Sequence, residues 1–122
     1  MSKKLKIVLA EDNSTLSLLL KFRLEKEGYE LLMAGDGKEA IELIKEHTPN
    51  LILTDIMMPF ISGLEVISHV RNELKMQIPI IVFSAAGQEE MVLKAFNLGA
   101  NDFMGKPFSP NELVMRIKRL LS

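Results

Sequence analysis

Cysteine is absent from this 122-residue chain. That excludes a thiol nucleophile, a disulfide framework and a cysteine-held zinc site, and it leaves the redox compartment open. Histidine occurs only twice, at His47 and His69, and neither has a metal-ligand neighbour at i+4. Both are read as surface residues. No apolar run approaches the ~20 residues that span a bilayer. The stretch after Met1-Ser2-Lys3-Lys4 is too short for the apolar part of a signal peptide. The expectation is a cytoplasmic protein with no membrane partner. An excess of one charge is missing too: the net charge is −1, so no field draws nucleic acid or an anionic surface. The last predicted helix carries Arg116, Lys118 and Arg119, but without the aromatic interleaving of a nucleic-acid binder. Internal repeats, low-complexity stretches and linkers are lacking. The chain reads as one domain over residues 1–122, stand-alone or the N-terminal fragment of a longer protein.

What the chain does have is 48% apolar and 25% charged residues, enough to bury a core without a metal or disulfide staple. Apolar runs of strand length alternate five times with helix-period stretches. The predicted strands are 6–10, 30–34, 51–55, 80–84 and 102–106; the predicted helices are 14–27, 37–47, 64–74, 89–98 and 110–121. The first, third and fourth strands are continuously apolar, as strands covered on both faces are. Such alternation implies a parallel sheet with right-handed crossovers. Punctuation agrees. Gly28 and Gly99 follow helices where a left-handed cap is wanted, Thr48-Pro49 closes the second helix, and Ser109-Pro110 with Glu112 has a capping-box pattern. Leu64, Ile67, Val70 and Leu74 form one stripe of the third helix, and Leu113, Ile117, Leu120 and Leu121 one of the last.

Four strands end in a polar residue: Glu11-Asp12 after the first, Asp55 at the end of the third, Ser84 at the end of the fourth and Lys106-Pro107 at the end of the fifth. In an open parallel sheet, ligands bind beyond the carboxyl ends of the strands where strand order reverses. Asp12 and Asp55 end strands that would be neighbours. Two carboxylates that close repel unless a cation lies between them. Mg²⁺ is the natural candidate, since it takes oxygen ligands and is usually held by one or two carboxylates plus phosphate. Asp12 or Asn13 could instead simply cap the first helix, but no helix starts after Asp55. A lysine and a hydroxyl facing a metal-bound carboxylate are parts for stabilising a phosphoryl group. Asp55 is then the nucleophile that forms an aspartyl phosphate.

With these residues the chain resembles the response-regulator receiver domains of bacterial two-component signalling, over essentially its whole length. Glu11-Asp12 sits at the family's acidic pair. Asp55 falls at the phospho-acceptor within Thr54-Asp55-Ile56-Met57-Met58-Pro59, with Gly63 at the family spacing. Ser84-Ala85 stands at the switch hydroxyl, Phe103 at the switch aromatic, and Gly99-Ala100-Asn101-Asp102-Phe103 leads to Lys106-Pro107-Phe108. The resemblance implies a flavodoxin-like sheet of order 2-1-3-4-5 flanked by five helices. It implies Mg²⁺ held by Asp12, Asp55 and the backbone carbonyl of Met57, and a cis bond at Lys106-Pro107; Glu11, by its chemistry, binds the ion through a water or completes the negative charge. It also implies a histidine kinase or histidine phosphotransfer protein as phosphodonor, with Ser84 and Phe103 repacking the face of the fourth helix, fifth strand and fifth helix after phosphorylation. Asp55 would catalyse its own loading and unloading, a switch and not a turnover enzyme.

Three finer expectations follow. Leu18 and Phe22 lie off the Leu16/Leu20/Leu24 stripe of the first helix, on the surface that receivers present to the kinase. Asp102, Glu112 and Arg116 resemble charged positions of receivers that form homodimers, although Val92 stands where such receivers carry a basic residue. Met57 and Ala86, two residues beyond Asp55 and Ser84, cannot orient an attacking water, so slow self-dephosphorylation is expected. Rival readings are weaker. A haloacid-dehalogenase phosphatase needs an acid where Met57 stands. A flavodoxin-like cofactor binder needs a glycine- and hydroxyl-rich phosphate loop that is missing here. A receiver-like interaction module that works without phosphorylation usually lacks an acid or the lysine, and here all are present.

Overall fold

The structure, a computed structural model, describes residues 3–122. Five parallel strands, β1 (Lys6–Ala10), β2 (Glu30–Ala34), β3 (Leu51–Asp55), β4 (Ile80–Ser84) and β5 (Asp102–Gly105), lie in the order β2-β1-β3-β4-β5. The helices are α1 (Ser14–Lys26), α2 (Gly37–His47), α3 (Gly63–Ser68), α4 (Glu89–Leu98) and α5 (Pro110–Leu121), with a π-helical turn over His69–Glu73 after α3.

Strand alternation splits the core into two layers, because successive side chains point to opposite faces. Val8, Ile52, Ile80 and Val82 meet Ala40 and Ile44 of α2, Val66 and Ile67 of α3, and Val92 and Ala95 of α4. Ile7, Leu9, Leu51, Leu53, Ile81 and Phe83 meet Leu20 and Leu24 of α1 and Leu113, Val114 and Ile117 of α5. Every residue of β3 and β4 is buried, which explains why those runs read as continuously apolar. The edges β2 and β5 are partly exposed.

Register then places the chemistry. Ala10 pairs with Thr54, Asp55 with Phe83, and Ser84 with Gly105. The polar residues at the strand ends therefore share one edge of the sheet, where the reversal between β1 and β3 opens a crevice.

Local differences from the sequence reading have physical causes. The expected single helix over 64–74 divides after Ser68, and the Leu74 N–H bonds to the His69 carbonyl at 2.9 Å, an i→i+5 bond. The apolar stripe tolerates this, since Ile67 and Val70 stay fully buried. Ser109 accepts from the Glu112 N–H at 3.4 Å, but the Glu112 carboxylate turns to Arg116, so the expected box forms only by half. A complete capping box stands at Ser62 and Glu65. Asp36 caps α2, and Thr48 ends it at φ 45. Val92, at the position expected for a basic surface residue, is a core residue of α4.

Candidate functional site

Asn13 settles how the first acidic pair is used. Its side chain accepts from the Leu16 N–H at 3.1 Å and caps α1, so Asp12 is not spent as the cap and remains exposed. Glu11 is buried, with one carboxylate oxygen accepting from the Asn13 N–H at 3.1 Å. Its other oxygen accepts from Lys106 Nζ at 2.8 Å, and the same ammonium lies 2.7 Å from Asp55 Oδ1. Carboxylate oxygens of Glu11, Asp12 and Asp55 all lie within 4.8 Å of one another. Lys106 reaches this point because its N–H donates to the Ser84 carbonyl at 2.7 Å, which extends the β4–β5 ladder by one bond. The peptide bond from Lys106 to Pro107 is cis.

The backbone under Asp55 is fixed from three sides. The Ile56 N–H donates to the Phe83 carbonyl, Thr54 Oγ1 donates to the Asp55 carbonyl at 2.9 Å, and the Gly63 N–H donates to the Ile56 carbonyl at 2.7 Å. Gly63 sits so close that a Cβ there would fall 2.0 Å from the Asp55 carbonyl oxygen. Only glycine allows α3 to start against Asp55.

Three acids against one ammonium leave the cluster over-negative. Burial pushes the Asp55 carboxyl up to about 8, and hydrogen bonding with Glu11 adds to the rise, against the pull of Lys106. Burial also raises Glu11, yet its bonds to Asp55, Lys106 and the Asn13 N–H outweigh that and hold it below the usual carboxylate range. Lys106 is held above its ordinary value, because its two carboxylate partners outweigh its desolvation. Asp55 therefore keeps a proton to near-neutral pH unless a second cation arrives. The donor set is oxygen only, with an exposed acid and a cavity of about 180 Å³ lined by Asp12, Asp55, Met57, Phe83, Ala85 and Gln88. That chemistry fits a hard divalent ion such as Mg²⁺, which keeps several waters.

Ser84 is buried and opens on a different space. With Ala86, Val92, Leu93, Phe96 and Phe103 it lines a groove of about 510 Å³ between α4 and β5. Lys106 borders both spaces. Phe103 is not the core residue that an apolar strand position suggests. It is 40% exposed, edge-on to Phe96 with ring centroids 6.1 Å apart. Leu18 and Phe22 are exposed and, with Leu16, Leu19, Pro107 and Phe108, line a groove of about 710 Å³ on the other flank of Lys106. Asp102, Glu112 and Arg116 pair among themselves, and Arg119 also reaches Asp102. His47 and His69 are half-buried, away from the acids.

Several participants were not legible in the sequence. Gln88 accepts from the Ala85 N–H at 2.7 Å and borders the acidic cavity. Phe108 stacks at 4.8 Å on Phe83, beneath the site. Phe60 lies beyond Asp55 at φ 68, 88% exposed, in a tight turn closed by the Ile61 N–H on the Pro59 carbonyl. A Met-Pro-Phe run signals a turn, but not its hand.

Comparison with known proteins gives one answer. The model of the response regulator receiver domain matches residues 7–118. The alkaline phosphatase synthesis transcriptional regulatory protein PhoP of Bacillus subtilis is 37% identical over 95% of this chain and 48% of its own length. This chain thus spans about half of that curated relative. A CheY-like receiver domain protein of Methanospirillum hungatei superposes with a TM-score of 0.92 at 28% identity, covering 98% of this chain and 94% of that one. The Francisella response regulator 1452 receiver domain gives 0.88 at 30% identity, covering 97% of each.

Proposed function

Since this chain belongs to the response-regulator receiver domains, we propose that it is a phosphorylation-driven switch whose acceptor is Asp55. The observation that carries this is the Lys106 ammonium bonded to both Asp55 and Glu11 beside exposed Asp12.

A phosphohistidine of a histidine kinase or histidine phosphotransfer protein is the donor. An Asp55 carboxylate oxygen attacks phosphorus in line. The O–P bond forms as the N–P bond to the imidazole breaks, and the electron pair leaves with the ring nitrogen. Lys106 keeps its protons and hydrogen-bonds an equatorial phosphoryl oxygen as charge gathers there. Asp12, Asp55 and the Met57 carbonyl would hold Mg²⁺, with Glu11, one oxygen on Lys106 and the other on Asn13, adding negative charge beside it. Bound there, Mg²⁺ would supply charge neutralisation for the carboxylates and the phosphoryl oxygens.

The product carries about two negative charges where one carboxylate stood. Ser84 turns its hydroxyl to a phosphoryl oxygen, and Phe103 leaves its exposed position for the groove under α4. The donor docks on the exposed Leu18 and Phe22 of α1. The charges expected at a homodimer face are already paired within one chain, so that face offers Leu93, Phe96 and Met115 instead.

Intact mass after incubation with Mg²⁺ and a small phosphodonor tests the reading. The expected result is the gain of one phosphoryl group, lost in Asp55→Asn. A wild-type protein that gains none would show a module that works without phosphorylation.

A further inference from the structure

Arg71 lies in the π-helical turn, far in sequence from every residue of the acidic site, and it ties three segments together. Its Nε and Nη2 donate to the Gly99 carbonyl at 3.1 and 2.8 Å, Nη1 donates to the Met76 carbonyl at 2.9 Å, and Nη2 reaches Asn101 Oδ1 at 3.0 Å. Asn101 Oδ1 also accepts from the Ile80 N–H at 2.8 Å, and the Asn101 N–H returns to the Ile80 carbonyl at 2.8 Å. One planar guanidinium therefore joins the turn after α3, the start of β4 and the loop between α4 and β5. Gly99 caps α4 at φ +118, and a Cβ there would meet Arg71 Nε at 2.8 Å. The cation sits at the negative end of the α4 dipole.

The opposite end of α4 is held differently. Gln88 stands at the N-cap but caps nothing, because its side chain serves the Ala85 N–H. Ala85, Ala86 and Gly87 are exposed. This end adjoins Ser84 and the groove lined by Val92, Leu93 and Phe103. Helix α4 is thus tied at its C-terminus to distant segments through Arg71, and held beside the site by the local Gln88–Ala85 bond.

We propose that Arg71 is a positioning residue, a hinge pin that makes α4 pivot about Gly99 so that its N-terminal end moves when the acidic site is loaded. The inference rests on the switch reading for its trigger and goes beyond it in naming the fixed point. Lysine cannot replace this pin, since it lacks the fork that makes paired bonds to one carbonyl.

Backbone amide NMR on the full chain tests this. Spectra of wild type, Arg71→Lys and Arg71→Gln are compared with Mg²⁺ alone and with Mg²⁺ plus beryllofluoride, a phosphoryl mimic. In wild type, shift changes are expected to concentrate in 84–93 and to fade over 98–101. In either variant they extend through 98–101, while the β1–β3 amides keep wild-type shifts. Equal wild-type changes at both ends of α4, or variant patterns identical to wild type, would overturn the hinge. Amide exchange in the unloaded protein scores the pin without any trigger. Protection at Gly99, Ala100 and Ile80 is expected to fall roughly tenfold in Arg71→Lys, the loss of about one net hydrogen bond, and unchanged protection would overturn it. Beryllofluoride that shifts nothing in wild type, with protection lost as expected, would fail the phospho-acceptance reading and leave a static clamp in place of the hinge.

Discussion

The two grooves that flank Lys106 are both apolar, yet they are built in opposite ways. The α1 side rests on long side chains, Leu20 and Leu24, that are fully buried. It is also tied to α5 by Lys118–Glu27 at 3.1 Å and by Arg23 to Asn111 at 2.7 Å. The α4 side rests on small ones, Val92 and Ala95, with no side-chain cap at its near end. Large buried side chains make a stiff platform; few and small ones leave a helix that can be displaced at little cost. On the proposed function, the stiffer flank suits docking and the softer one movement.

The broadest test of that contrast is to load Asp55 and watch both flanks. Amide shifts are expected over the end of β4 and the first turns of α4 and not across α1, and every one of them is expected to vanish in Asp55→Asn. A response of equal size in α1 would erase the distinction. Leu24→Ala is expected to lose about 3 kcal/mol of stability in urea unfolding, whereas Val92→Ala loses about 1. Comparable losses would show that α4 is as firmly seated as α1. Phe22→Ala is expected to slow transfer from a partner phosphodonor by roughly tenfold or more, as loss of an aromatic anchor does, with uptake from a small phosphodonor unchanged. Slowing of both would place Phe22 in the site's own support.

The acidic cavity between the flanks has its own pH signature. The Asp55 carboxyl rises from 3.8 to about 8 on folding. Between those values the native chain binds more protons than the unfolded one, so stability falls as pH rises through the window and levels off above about 8. Urea midpoints of metal-free protein at about pH 5 and about pH 8 measure the fall; added Mg²⁺ is expected to flatten it. Smallest is the lifetime effect. Met57→Asn gives the lip of the cavity a group that can orient water, and phosphorylated protein is expected to decay severalfold faster. Unchanged decay would remove Met57 from any part in the signal's persistence.

Much of this was legible because strand chemistry is local and the sheet topology is restrictive. Apolar runs in β1, β3 and β4 announced double-sided burial, and parallel topology then forces their last residues to one edge. That is why Asp12, Asp55 and Lys106 can be grouped from the sequence alone. What escaped was set by tertiary contacts. The π turn at His69–Glu73 depends on an i→i+5 bond that no periodicity signals, and Arg71 reads as an ordinary charge on a helix. Nor does sequence reveal that Ser84 opens on the α4 groove and not on the acidic cavity, or that Phe103 sits outside. Nor does it reveal that Asp102, Glu112 and Arg116, which resemble charged positions of dimerising receivers, pair within the chain through i, i+4 spacing on α5 and the nearness of β5.

Gly63 leaves room for no more than a hydrogen between the start of α3 and the peptide group of Asp55. A library randomised at that codon and selected for the wild-type fold is expected to return the parent. Even alanine there is expected to push the Asp55 backbone aside, so that a methyl group on a neighbouring helix re-aims a carboxylate it never touches.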